Sequence, residues 1–315
     1  MKTFCKKIVC LFLPFLLLGV YVEVNLRHVE NGYSRKKADL ERSLSDIEVL
    51  TLGSSHGLFG VDPGQFRQKT FNMAYVSQSL YYDRMLLASY LERLPELQAV
   101  IVPISYFSLD TSMSASSEKW RCYFYEKYFS IPVEGAETSG LSGYFDPKRY
   151  SMIALYGIPK SFKQLRNNFS LSEVKDQQPN GWLRQDLVVA ITDKVGKQRV
   201  ALHESMMYPG MRADNIAHLQ AIADMLRKRH VDLYLVTPPV HPAYTRFVDA
   251  DRYQSMTAAT NNFCVANSCT YLDFFHDKRF NDADFFDSDH LNANGAGKFS
   301  QLLDAALVNP ANVVD

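Results

Sequence analysis

Three short polar clusters in this 315-residue chain hold the residue types that acyl chemistry needs. Leu52-Gly53-Ser54-Ser55-His56-Gly57 follows a short apolar run, and a glycine ahead of two serines allows a tight turn that exposes a hydroxyl. Pro103-Ile104-Ser105-Tyr106 closes a second run, and Phe286-Asp287-Ser288-Asp289-His290-Leu291-Asn292 precedes the last helical pattern. A serine hydroxyl is a poor nucleophile at neutral pH and needs an adjacent base; imidazole is the usual one because its pKa lies near the working pH. The imidazole in turn needs an acceptor on its other nitrogen to fix tautomer and orientation. Asp287, three residues before His290, can reach back to it, with Asp289 as the competing carboxylate. Ser55, His290 and Asp287 therefore make a chemically complete triad if the fold joins the two loops. The competing reading makes Ser55 a helix cap and His290 a capping or core histidine.

Two more histidines lie near these clusters. His56, beside the nucleophile, reads as a pocket-rim or substrate-oxygen contact, and His241, after Thr237-Pro238-Pro239-Val240, reads as a substrate contact or a plain loop residue. His203 and Glu204 have no partner that the sequence identifies.

The elements that must position these groups alternate. Ile47–Leu52, Ala99–Tyr106 and Val231–Thr237 are short apolar runs punctuated by Gly or Pro, which suits strands buried on both faces of a parallel sheet, and Tyr271–Phe275 reads as a further strand. Helical patterns lie between them at Ser79–Leu94 and Asp214–Arg229, the latter read as opening on an Asp cap, and at Ala296–Val308. The expected fold is α/β, three layers (α/β/α) around a mostly parallel, flavodoxin-like sheet, in which ligands collect beyond the carboxyl ends of the strands. Residues 107–213 break the rhythm and are rich in aromatics from Trp120 through Tyr144 to Trp182. An insertion of about a hundred residues should carry its own helices and pack as a cap or subdomain. Its rings either stack on sugars or form its core.

Lys2, Lys6 and Lys7 precede an apolar run from Ile8 to Val22, closed by Glu23, Asn25 and Arg27, the order of an export signal. The run is short of the roughly 20 residues that span a bilayer comfortably, and no small-residue cleavage site stands at its end, so residues 1–27 read as an uncleaved signal anchor, with a cleaved signal peptide as the alternative. Residues 28–46 are polar and read as a linker or short solvated helix; 47–106 and 214–315 form the α/β domain. Export would put Cys264 and Cys269 in a compartment that permits a disulfide, with two small buried thiols as the alternative. With 34 basic and 34 acidic residues the chain lacks the positive field of a general nucleic-acid binder. No Cys/His grouping has zinc-ligand spacing, so neither a metal nor a cofactor is expected.

The order Gly53-Ser54-Ser55, then Asn72-Met73-Ala74-Tyr75-Val76-Ser77, then a hydrophobic strand, then Asp287-Ser288-Asp289-His290 before the C-terminal helix resembles the SGNH (GDSL-like) hydrolase superfamily. It is most similar to the membrane-anchored cell-envelope branch that includes teichoic-acid D-alanylation and alginate O-acetylation proteins. The resemblance covers residues 47–106 and 214–308 and implies Ser55 as nucleophile, with Asp287 as acid and His290 as base. It also implies an oxyanion hole built around Ser55, with Ser77 where the family has glycine. The asparagine of the family's third motif is missing, so either Ser105 or Tyr106 stands in as a hydroxyl donor or the hole has only backbone N–H groups. The implied activity is that of an esterase or O-acyltransferase on a cell-envelope or exported polysaccharide, facing the periplasm. Its implied partners are an acylated glycan, the inner membrane through the N-terminal helix, and other exopolysaccharide or acyl-transfer machinery. Because an oxyanion donor is worth about 2.7–4 kcal/mol, the missing asparagine also allows a catalytically weak polysaccharide-binding or assembly protein.

Overall fold

The computed structural model describes residues 2–135, 145–169, 174 and 176–309. Five parallel strands, β1 (Val49–Thr51), β2 (Thr70–Asn72), β3 (Ala99–Pro103), β4 (Asp232–Thr237) and β5 (Thr270–Asp273), form one sheet in the order β2-β1-β3-β4-β5. This is the doubly wound order of flavodoxin-like folds, and it puts the switch point between β1 and β3, whose exits carry the Ser55 and Ser105 clusters. The expected α/β three-layer class holds.

Alternate strand residues feed two cores. Leu50, Val100, Val102, Leu233 and Leu235 face one layer. It includes α4 (Leu80–Tyr90) and α10 (Arg212–Lys228). Val49, Ala99, Ile101, Tyr234 and Val236 face the other, against Phe299, Leu303 and Ala306 of α13 (Ala293–Val308). Phe299 is fully buried, and truncating such a ring to Ala costs about 3–5 kcal/mol. Asp214 falls within the first turn of α10 rather than capping it; the residue at the cap position is Met211.

Residues 28–46 depart from the expected solvated segment. Asn31 caps α2 (Gly32–Ser43), whose Tyr33, Lys36, Asp39 and Leu40 are buried. Lys36 donates to the Ala74 carbonyl, so α2 holds the turn that leads to Ser77. Burial drives the Lys36 ammonium well below its ordinary pKa, only partly offset by the Asp39 carboxylate. Burial of this polar stretch is compatible with its sequence because its buried cation has a distant carbonyl partner and the helix start is satisfied by the Asn31 cap.

The described part of 107–213 carries α5 (Cys122–Phe129), α6 (Pro147–Tyr150), α7 (Met152–Tyr156), α8 (Ile158–Arg166) and α9 (Asp193–Ser205). Its rings are mainly core: Tyr123, Phe124, Tyr125 and Phe129 join the same cluster as β3. Tyr33 stacks on Phe124 and Tyr82 on Tyr125, knitting the segment to α2 and α4. Tyr144 lies outside the described residues.

The N-terminal helix α1 (Lys2–Leu26) includes one stretch, Lys6–Leu26, long and apolar enough to cross a membrane by length and composition. Its far end belongs to the folded part: Val22 and Leu26 are buried, and Glu23 accepts from the Met152 and Ile153 amides and the Ser151 hydroxyl. After β4 come α11 (Pro242–Thr245) and α12 (Ala250–Asn267), and a disulfide joins Cys264 to Cys269.

Candidate active site

Gly53 turns the chain out of β1 at φ +101°, a conformation that L side chains resist. Its amide donates to Asp83 Oδ1 at 2.8 Å. The six-residue helix α3 (Ser55–Gly60) then starts on the candidate nucleophile. It sits so close to the sheet that a Cβ on Gly57 would lie 2.9 Å from the Leu52 carbonyl oxygen and 3.0 Å from Pro103. The turn is fixed from both sides.

Fold closure brings the distant loop onto it. His290 Nε2 lies 2.8 Å from Ser55 Oγ, and His290 Nδ1 lies 3.0 and 3.1 Å from the two Asp287 oxygens. Asp287 Oδ1 also accepts the backbone amides of Asp289 and His290, which forces the loop into a tight arc around the carboxylate. Hydroxyl, imidazole and carboxylate thus form one continuous chain of hydrogen bonds. That is the geometry by which an imidazole can take a hydroxyl proton while the carboxylate holds its tautomer.

Asp289 serves a second set of partners. Its carboxylate is fully buried, 3.4 Å from His56 Nε2, 3.6 Å from His290 Nε2 and 3.7 Å from His203 Nε2. Burial pushes this carboxyl up, but the His290 imidazole charge first, and then the His56 ring N–H beside it, outweigh that and hold Asp289 well below the usual carboxylate range. For His290 burial acts to lower the pKa, and the Asp289 and Asp287 carboxylates overcome it, so the ring titrates above its ordinary 6.5. His56 and His203 go the other way: desolvation lowers both, His203 to about 3.

Arg199 on α9 bridges the two acids, donating to Asp287 Oδ2 at 2.7 Å and pairing with Asp289 Oδ1 at 2.9 Å. His203, one turn later, bonds the Tyr244 hydroxyl. Neither has a sequence-level signal beyond the i, i+4 spacing of Arg199 and His203 on one helix.

The pocket over Ser55 has a volume of about 310 Å³, and hydroxyls from Ser77, Ser79, Ser108, Thr111 and Ser112 are part of its lining. Ser77 adopts φ +59°, where glycine is at ease and an L residue pays about 1–2 kcal/mol. Among the described residues neither the Ser55 nor the Ser77 amide N–H has a hydrogen-bond partner, which leaves two donors at the pocket. Asp83 ties their turns together, since it accepts from Gln78 Nε2 as well as from Gly53. Burial raises its carboxyl to about 7, against the lowering effect of those two bonds.

Four expected roles need correction. Ser105 Oγ pairs with His56 Nδ1, so this hydroxyl is engaged away from the cavity. Tyr106 is buried and donates to Glu204 Oε1, giving both residues a structural task. His56 is sealed between Ser105 and Asp289 and does not line the pocket. His241 caps α11, its ring accepting from the Ala243 amide and its Nε2 meeting Asp282, so it too is a loop residue outside the pocket.

His56, Asp289 and His290 each offer a ligand atom within 4.8 Å of the others, a set that suits a divalent cation by donor type. A cation there would compete with Ser55 for His290 Nε2, the atom that already meets the serine hydroxyl.

No family model matches the chain, and no curated protein matches it. Among solved structures it is similar to a GDSL-like lipase from Bacteroides thetaiotaomicron, with 10% identity, 89% of this chain and 100% of that chain covered, and a TM-score of 0.42. It is also similar to a candidate acylhydrolase from Bacteroides fragilis, with 11% identity, 89% and 95% covered, and a TM-score of 0.41. What the Ser55 pocket can do follows from its own geometry.

Proposed function

We propose that the protein is a serine esterase or O-acyltransferase in which Ser55 attacks an acyl ester, His290 carries the proton and Asp287 orients the ring. The observation that carries this reading is the Ser55–His290–Asp287 hydrogen-bond chain opening into a hydroxyl-lined pocket. As Ser55 Oγ bonds to the acyl carbon, its proton passes to His290 Nε2. Collapse of the tetrahedral adduct breaks the donor ester, and the leaving alcohol takes that proton. The Ser55 and Ser77 amides are the proposed oxyanion donors, since both residues line the pocket and neither N–H has a partner among the described residues. Water as second substrate gives hydrolysis; a sugar hydroxyl gives transfer. The proposed substrate class is an acylated envelope or exported polysaccharide, supported by the serine and threonine residues of the pocket lining, whose hydroxyls are of the kind that hydrogen-bond polyols.

The chain is held at the membrane by an uncleaved α1, lysines inward, with the catalytic domain on the outer face. Cleavage after Leu26, at the end of α1, would remove the buried Val22 and Leu26 and the Glu23 bonds from the folded part, and the Cys264–Cys269 disulfide suits an oxidising compartment. Full-length protein incubated with a fluorophosphonate probe and with acetyl-xylan tests the reading. Wild type should be labelled and release acetate, and Ser55→Ala should do neither. Wild type that neither labels nor removes acetyl would instead favour a binding or assembly protein.

A further inference from the structure

We infer that α8 is an interfacial helix that seats the catalytic domain in the headgroup layer of the membrane crossed by α1; this rests on the anchor reading above. The apolar run Ile8–Val22 rises only about 22 Å, against the roughly 30 Å of a hydrocarbon core. A short span is accommodated by thinning the bilayer or by drawing its flanking surface into the interface. The surface around the outer end of α1 has the composition that the second option needs. Val22, Gly19, Leu18 and Phe15 of α1 form one wall of a groove of about 210 Å³, and Ile153, Ile158, Phe162 and Leu165 help form the other.

These residues lie at the right depth. With Glu23 marking the boundary, Gly19 and Leu18 are about 6 and 7.5 Å below it along the helix axis, inside the 5–10 Å to which interfacial helices bury their apolar face, and Phe15 is about 12 Å below, just under that range. Ile158 and Phe162 remain 65% and 61% exposed, one helical turn apart, and Tyr150 is 58% exposed. Lys160, Lys163 and Arg166 on α8 and Lys148 on α6 are exposed cations that suit an anionic lipid surface. Among the described residues, the nearby acids have partners of their own: Glu23 with the α7 amides and Arg27, Glu126 with Arg149, and Asp146 with Tyr123. The apolar groove, the exposed Ile158 and Phe162 and the exposed basic side chains of α8 adjoin the span, and a lipid bilayer with anionic headgroups matches all three.

The test uses full-length protein in nanodiscs of phosphatidylethanolamine and phosphatidylglycerol, in a Cys5→Ser/Cys10→Ser background. An environment-sensitive fluorophore is attached through Phe162→Cys or, separately, through Leu16→Cys. Both probes should emit blue-shifted and be quenched by lipid-borne spin labels, the Phe162 probe most strongly by labels near the headgroup. Adding Lys160→Glu, Lys163→Glu and Arg166→Glu should reduce quenching at 162 and leave that at 16 unchanged. A quenched probe at 16 with a water-like, unquenched probe at 162 overturns the interfacial helix alone. An unquenched probe at 16 overturns the anchor and this inference with it. A blue shift at 162 that ignores the quencher and grows with protein density means self-association and also overturns it.

Discussion

Asp287 and Asp289 stand two residues apart in one loop and share Arg199, yet Asp287 bonds Nδ1 of His290 while Asp289 lies among His56, His203 and the Nε2 side of His290. Asp287 holds Nδ1 of His290, whose other nitrogen reaches Ser55 at the pocket. Asp289 faces Nε2 of His56, whose other nitrogen ends on Ser105, and that set is closed off from the cavity. The residue types are the same in both pairs; the hydroxyl at the end of the chain differs. One hydroxyl meets substrate space and the other is part of the packing. An Asp-His-Ser composition therefore does not define a catalytic triad; access of its hydroxyl does. The inner pair still acts on the outer one, because the Asp289 charge raises the pKa of His290.

The sharpest way to break this comparison is to neutralise the outer acid. Asp287→Asn should lower kcat by about 10⁴-fold while leaving a folded protein, because the amide favours the wrong imidazole tautomer. If the loss instead appears in Asp289→Asn and Asp287→Asn is nearly normal, the two carboxylates have been assigned to the wrong histidines. Next in size is Arg199→Gln, which frees both acids at once. A displacement of the imidazole by about 1 Å costs on the order of 10²-fold, seen in kcat more than in KM. Arg199→Lys should not restore the rate, since a single ammonium cannot span two carboxylates as the guanidinium fork does.

The halves of this site differed in how far the sequence exposed them. Ser55, His290 and Asp287 were legible because each belongs to a short local motif, and β1, β3 and β4 because their apolar runs end in Gly or Pro. β2 is three residues long and has no such run. The segment 28–46 looked solvated because its average polarity hid a period: Tyr33, Lys36 and Leu40 follow an Asn31 cap at helical spacing, with Lys36 buried through one carbonyl bond. Arg199 was invisible for another reason. Its partners lie about 90 residues away, and nothing local marks an arginine that will meet two aspartates. Ser105 was misread as a donor to substrate because its hydroxyl is consumed by His56, a contact that only the packing of α3 on β3 creates.

The smallest expected effects separate the inner pair's charge from its packing. The proposed base works only when neutral, so the rate should fall as pH drops through the His290 pKa, with the acid limb centred above the 6.5 of an ordinary histidine. Asp289→Asn removes the carboxylate that raises this pKa most, so its acid limb should move to lower pH; a shift of one unit corresponds to about 1.4 kcal/mol of lost imidazolium stabilisation. At pH 6 the variant should then keep a larger fraction of its own plateau rate than wild type does, even though that plateau is lower. His56→Asn should leave the limb where it is, because burial keeps the His56 ring neutral through this range and its removal takes away no charge. It should lower Tm instead, through the lost Ser105 bond. Profiles of kcat/KM for the three proteins check this pair, and equal shifts in both variants would show that the inner histidine, not the inner carboxylate, sets the pKa of His290.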